Sequence, residues 1–293
     1  MKDFSAILKD KAQVVDQTLQ MIMENQQPVS EKLAAAMEYT LFSGGKRIRP
    51  VLTLLTCELV AGEMSAARRT GAALELIHTY SLIHDDLPSM DDDDYRRGNP
   101  TNHQVYGPGF AILAGDGLLT MAFEVLSELK LPAEKKIKII STISKGAGPQ
   151  GMVGGQALDL DGEKQELDFS DLVKIHENKT GALISASILA GAYCGSPETR
   201  EIKSLKKYAS NLGLLFQVTD DILDVTGDKE ALGKSTGQDQ KLNKATYPSL
   251  LGLEESRKQA QTYAAQAREA LNTWGSENTK LKQLVDFVLH REK

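Results

Sequence analysis

The chain has 293 residues, 41% of them hydrophobic and 25% charged, with a net charge of −6. Such a length fits one large domain or two ordinary ones, and such a composition belongs to a soluble globular protein. The acidic balance excludes a general nucleic-acid binder, because phosphate backbones require clustered Lys and Arg.

Apolar residues recur at three- and four-residue steps almost throughout, and no alternating strand pattern stands out. The start, Met1-Lys2-Asp3-Phe4, has no apolar run after its first charges, so a cytoplasmic location is expected. Cys57 and Cys194 are the two cysteines, and their apolar helical contexts suit free buried thiols in a reducing compartment. Helices are expected over 3–25 and 31–43, the second capped by Ser30. Gly44-Gly45-Lys46-Arg47-Ile48-Arg49-Pro50 then joins two glycines to three positive charges where a helix over 48–62 begins. Glycine lets the backbone approach an anion, and a helix N-terminus favours one. Pro50 fits the first turn, where its missing N–H costs nothing.

A helix over 65–87 runs into His84-Asp85-Asp86-Leu87-Pro88-Ser89-Met90-Asp91-Asp92-Asp93-Asp94, six aspartates within ten residues. Like charges packed so densely cost folding energy unless cations neutralise them. Carboxylates that leave room for water and phosphate suit Mg²⁺. Asp85 and Asp91 point about 120° apart on an ideal helix, and Pro88 distorts or ends the helix between them. The chain must therefore deform to bring both to one metal group. Asp92, Asp93 and Asp94 read as solubilising charge. Arg96 and Arg97 can pair with the aspartates or clamp a diphosphate. His78 lies two turns before Asp85 on nearly the same face.

Further helices are expected over 109–129, 133–148, 170–194, 198–225, 254–273 and 277–290, with Ser170 capping the third of these. Residues 180–197 carry no charge, but their Ser, Gly and Ala content fits a close-packed core helix better than a membrane span. The second acidic cluster, Asp220-Asp221-Ile222-Leu223-Asp224, ends the 198–225 helix. Asp220 and Asp224 stack on one face with Cβ atoms roughly 5–6 Å apart, close enough for one hydrated metal. Asp221 lies about 100° away, placed for a supporting or salt-bridge role. Residues 227–243 are polar and glycine-containing, as in a loop able to move. Lys179-Thr180 and Gly233-Lys234-Ser235 add candidate phosphate donors. The fold class is all-α, a single domain over 1–293 of about ten helices, with two acidic clusters facing a magnesium-bound polyphosphate.

Taken in order, these motifs resemble those of the trans-isoprenyl diphosphate synthases over nearly the whole chain. The match comprises residues 44–50, the first aspartate motif with Arg96-Arg97, Gly155-Gln156, Lys179-Thr180, Phe216-Gln217 with the second aspartate motif, and Lys234. The resemblance implies an orthogonal helical bundle around a deep central cavity, normally a homodimer, acting on small prenyl diphosphates without stable membrane insertion. It implies that Lys46, Arg49, His78 and Arg97 bind the diphosphate of isopentenyl diphosphate. Asp85, Asp91 and Asp220 would hold three Mg²⁺ ions on an allylic diphosphate, supported by Asp86, Asp221 and Asp224. Arg96, Lys179 and Lys234 would contact that diphosphate, and Thr180 and Gln217 match groups facing an allylic cation.

Product length should follow the depth available beneath Asp85, where each upstream helical residue adds about 1.5 Å. Ser81 is small enough to admit a tail; Tyr80 is bulky enough to stop it, unless it is ordinary core. An aromatic five positions before the first aspartate, with two extra residues in the motif, resembles members that stop at the C15 (farnesyl) product. Against a geranylgeranyl (C20) synthase only Tyr80 argues strongly. A non-catalytic partner subunit would be expected to have lost an aspartate motif. A class I terpene cyclase would carry Asn, Ser and Glu in the second one.

Overall fold

The computed structural model describes residues 2–162, 165–226 and 245–291. Helices α1 (Lys2–Glu24), α2 (Glu31–Leu41), α3 (Ile48–Leu59) and α4 (Met64–Asp85) follow the expected order. After a two-residue hairpin, β1 (Tyr95–Arg96) with β2 (Asn99–Pro100), come α5 (Asn102–Tyr106), α6 (Pro108–Ser127), α7 (Ala133–Ala147) and α8 (Met152–Gly162). Then come α9 (Phe169–His176), α10 (Ala182–Tyr193), α11 (Thr199–Thr226), α12 (Tyr247–Leu251), α13 (Leu253–Ala270) and α14 (Thr279–Leu289). The all-α class is as expected.

Local chemistry accounts for most boundaries. Ser30 accepts from Leu33 N–H and caps α2, and Pro108 occupies the first turn of α6. The expected cap of α9 is corrected. Asp168, not Ser170, is the N-cap, in a capping box with Asp171, because a carboxylate outcompetes the hydroxyl, which itself donates to Asp168. The single helix expected over 170–194 is interrupted by a π-helical turn, Glu177–Gly181, between α9 and α10. Periodicity missed α5, α8 and α12, which are short or glycine-rich.

Two apolar clusters meet along α3 and α10. One gathers Leu19, Leu74, Ile77, Leu118 and Leu126 around α4 and α6. The other gathers Leu52, Ile188, Tyr208, Leu212 and Val285 around α11, α13 and α14. Each fully buried Leu or Ile contributes about 1.5–3 kcal/mol. The α3–α10 crossing is close enough that Thr53 donates to Ser187 carbonyl oxygen across it at 3.0 Å. A Cβ at Gly191 would stand 2.4 Å from Thr53 carbonyl oxygen, so only glycine fits. The uncharged stretch expected to be core is indeed buried in α10. Among the described residues α6 alone is long and apolar enough to cross a membrane, yet it packs lengthwise against α4.

Candidate active site

The end of α4 carries the first acidic motif. Asp85 is its last residue, and beyond it the chain curls so that Asp91 N–H returns to Asp85 carbonyl oxygen at 2.9 Å. Asp92 N–H bonds to Leu87 carbonyl oxygen at 3.1 Å, with Asp92 in the left-handed region at φ 52°. This is the deformation the Asp85–Asp91 spacing demanded. Asp86 turns into the protein, buried, and its Oδ1 accepts from Arg96 Nε at 2.7 Å. Asp92 and Asp94 are exposed and Asp93 is half-buried, and the last two also make polar contacts. Asp93 lies 3.8 Å from Arg96, and Asp94 accepts from Gln104 at 2.6 Å.

Burial pushes the Asp85 carboxyl up, to about 6; Lys179 opposes the rise and Asp91 adds to it. Lys179 pairs with Asp159 at 2.5 Å and sits with Thr180 in the π-turn, a distortion that often marks functional positions. The turn is pressed against α8 so closely that a Cβ at Gly155 would stand 2.1 Å from Lys179 N.

Facing this corner is a basic pocket of about 670 Å³ lined by Lys46, Arg49, His78, Arg96, Arg97, Thr180, Gln217 and Asp220. Arg49 donates from Nη1 to His78 Nε2 at 3.2 Å. Burial first, then the surrounding arginines, hold His78 well below its usual range, so it is neutral and accepts. Burial also lowers Arg49, whose Nε is buried without a hydrogen-bond partner among the described residues. Crowded cations with an unsatisfied donor make a site for a polyanion. Arg47, between the two expected ligands, has a different use. It adopts φ 50°, and its buried guanidinium bonds Asp16 at 2.8 Å and Glu75 at 2.7 Å. That pairing braces the turn before α3.

The basic pocket shares Arg49, His78, Leu82 and Thr180 with an apolar cavity of about 560 Å³. Tyr80, Ser81, His84, Asp85 and Lys179 line this cavity with Met152, Val153 and Leu160 of α8. It thus runs from the carboxylates down along α4 to Tyr80.

On α11, Asp220 lines the basic pocket and pairs with Arg291 Nη2 at 2.6 Å. The Arg291 guanidinium lies 4.1 Å from the Phe216 ring centroid and donates to Phe216 carbonyl oxygen at 2.8 Å. Sequence reasoning missed Arg291, since a lone cation near a terminus carries no signal, and missed Asp159 along with α8. Asp221 points away from the pocket, buried, accepting from Tyr247 N–H at 2.8 Å. Asp224 is half-buried and lines neither cavity. Lys234 lies outside the described residues.

Among the described residues no three carboxylate, imidazole or thiolate groups already converge on one metal position. The donor set nevertheless fits Mg²⁺. Asp85 is a buried carboxyl raised by burial and by Asp91, and Asp220 faces the shared opening on the other side. Hard oxygen ligands contributed singly, with the rest of the sphere left to water and phosphate, are what Mg²⁺ takes.

A helical fold that sets an apolar, tail-sized cavity against a pocket of arginines and carboxylates defines the class of proteins that handle apolar diphosphates. The chain belongs to the polyprenyl synthetase family, whose sequence model matches residues 30–288, and is a trans-prenyl diphosphate synthase. It is 47% identical over 264 residues to a dimethylallyltranstransferase of Fischerella ambigua, covering 89% of this chain and 76% of that one. It is 43% identical to a farnesyl diphosphate synthase of Geobacillus stearothermophilus, covering 97% of each. The crystal structure of a geranylgeranyl pyrophosphate synthetase from Pyrococcus horikoshii superposes with a TM-score of 0.91 at 30% identity, covering 99% of both chains.

Proposed function

We propose that this prenyltransferase is a farnesyl diphosphate synthase, condensing isopentenyl diphosphate head-to-tail with dimethylallyl and then geranyl diphosphate to give the C15 product. The observation that carries the reading is Tyr80, buried at the wall of the apolar cavity five residues before Asp85.

Lys46, Arg49, His78 and Arg97 receive the diphosphate of isopentenyl diphosphate, which needs only positioning. Asp85, Asp91 and Asp220 would hold Mg²⁺, with Asp86, Asp221 and Asp224 supporting their helix ends. When bound, the metal supplies charge stabilisation to the departing diphosphate. Arg96, Lys179 and Lys234 add fixed positive charge to the same leaving group. The allylic C–O bond breaks, and its electron pair departs on the diphosphate oxygen. Thr180 and Gln217 face the cation so formed, and the apolar wall keeps water from it. The isopentenyl double bond attacks that carbon, and the new cation loses a proton to form the product alkene. The departing diphosphate takes this proton, because His78, held neutral and among arginines, is too weak a base.

The chain is read as one catalytic domain, cytoplasmic, working as a homodimer. The free buried thiols of Cys57 and Cys194 support a reducing compartment, and the exposed Ile112 and Leu113 on α6 support a partner copy. A geranylgeranyl diphosphate synthase is the second reading, favoured by the close superposition on the Pyrococcus horikoshii structure.

Incubation of purified protein with Mg²⁺, isopentenyl diphosphate and radiolabelled dimethylallyl or geranyl diphosphate decides between them. C15 is expected to dominate on chromatography; a C20 main product selects the second reading, and no prenyl product refutes both. Tyr80→Ala is expected to lengthen the main product beyond C15, and Ser81→Phe to shorten it toward C10. Unchanged C15 in both variants would remove the depth rule.

A further inference from the structure

His84 lines the apolar cavity beside Tyr80, and no part of diphosphate binding falls to it. Its ring is nonetheless held in place by α6. Nε2 lies 3.1 Å from Ile112 carbonyl oxygen; a carbonyl only accepts, so Nε2 carries the hydrogen and donates. The imidazole fills a notch at Gly115, where a Cβ would stand 2.1 Å from Nε2 and 2.5 Å from Cδ2. On α4, one turn earlier on the same face, the Tyr80 ring meets the imidazole edge-on, centroids 5.7 Å apart at 78°. Packing is therefore what holds Tyr80 in place; no hydrogen bond to its hydroxyl occurs among the described residues.

We propose that His84 is the positioning residue of the cavity floor, wedged into α6 at Gly115 and holding the Tyr80 ring across the path of a growing prenyl tail. The inference rests on the reading that Tyr80 stops the tail. Remove the imidazole, and the tyrosine ring can turn into the vacated notch, deepening the cavity by part of a turn. Give Gly115 a methyl group, and the imidazole is driven out of the notch toward the cavity it lines, raising the floor. The two changes act in opposite directions through one ring.

The test is product length at equal turnover, a ratio that a general loss of rate leaves unmoved. His84→Ala should raise the C20-to-C15 ratio roughly three- to tenfold, as expected for losing one aromatic contact of ordinary strength. Gly115→Ala should raise the C10 share. The double variant should follow His84→Ala, since no ring remains to be displaced. Tyr80→Ala runs alongside. If it lengthens the product while His84→Ala keeps the wild-type ratio, the role of His84 is overturned and the depth rule stands. If neither moves the ratio, both fall. Should His84→Ala fail to fold by circular dichroism, Gly115→Ala decides, and an unchanged product spectrum there overturns the proposal.

Discussion

His176 lies beneath the second acidic motif, its Nε2 3.8 Å from Asp221 and its ring tilted against Tyr247. Burial pushes its pKa down to about 4, against about 6.5 for an unfolded histidine. The unfolded chain therefore gains a proton below about pH 6.5 that the folded one refuses, so stability present above that pH is lost as pH falls toward 4. The loss is at most about 3 kcal/mol. The urea midpoint should drop between pH 7 and pH 4.5, and drop less in His176→Leu; equal drops would show that other groups control it. At this scale the aspartates were legible because like charges crowded at the ends of apolar helices repel one another unless a cation meets them. Arg49, not Arg47, was expected in the pocket through the family resemblance, but no local pattern states the left-handed turn at Arg47 that sends its guanidinium inward to Asp16 and Glu75. Arg291 reaches Asp220 across 71 positions of sequence, and nothing local announces it.

The π-turn and α8 work as a pair. Gly155 lets α8 lie against the backbone of Lys179, and Gly213 does the same for α11, where a Cβ would stand 2.8 Å from Gly181 Cα. Gly155→Ala should force α8 away from the turn, costing about 1–3 kcal/mol as overpacking and displacing Lys179 and Thr180. A fall in melting temperature with a fall in kcat larger than any change in KM for isopentenyl diphosphate is expected. Wild-type kcat would show that the turn is set by α9 and α10 alone. The glycines that make this contact are what hid α8 from a reading based on helix propensity. The π-turn was invisible for a related reason: one extra residue shifts the apolar stripe by about 100°, and the uncharged sequence of α10 has no polar face to reveal the shift.

The molecule as a whole sets a basic pocket against an apolar cavity and leaves apolar side chains exposed on α6, Ile112 at 45% and Leu113 at 52%. If a second copy covers that face, Leu113→Glu should halve the mass seen by analytical ultracentrifugation relative to the wild-type protein. A wild-type sedimenting as a single chain would remove the homodimer from the reading. The all-helical class was legible at this scale because one period runs through almost every segment. The meeting of a basic pocket with an apolar cavity was legible only through the family resemblance. No spacing in the chain states that Arg49 of α3 and Thr180 of the π-turn border both.

The Arg291–Asp220 contact has a practical side. Arg291, the last of the described residues, is tied to Asp220 beside the basic pocket. A polyhistidine tag fused there would bring metal-binding imidazoles beside a carboxylate assigned to Mg²⁺. An assay of protein tagged at that end would then measure the tag as well as the enzyme.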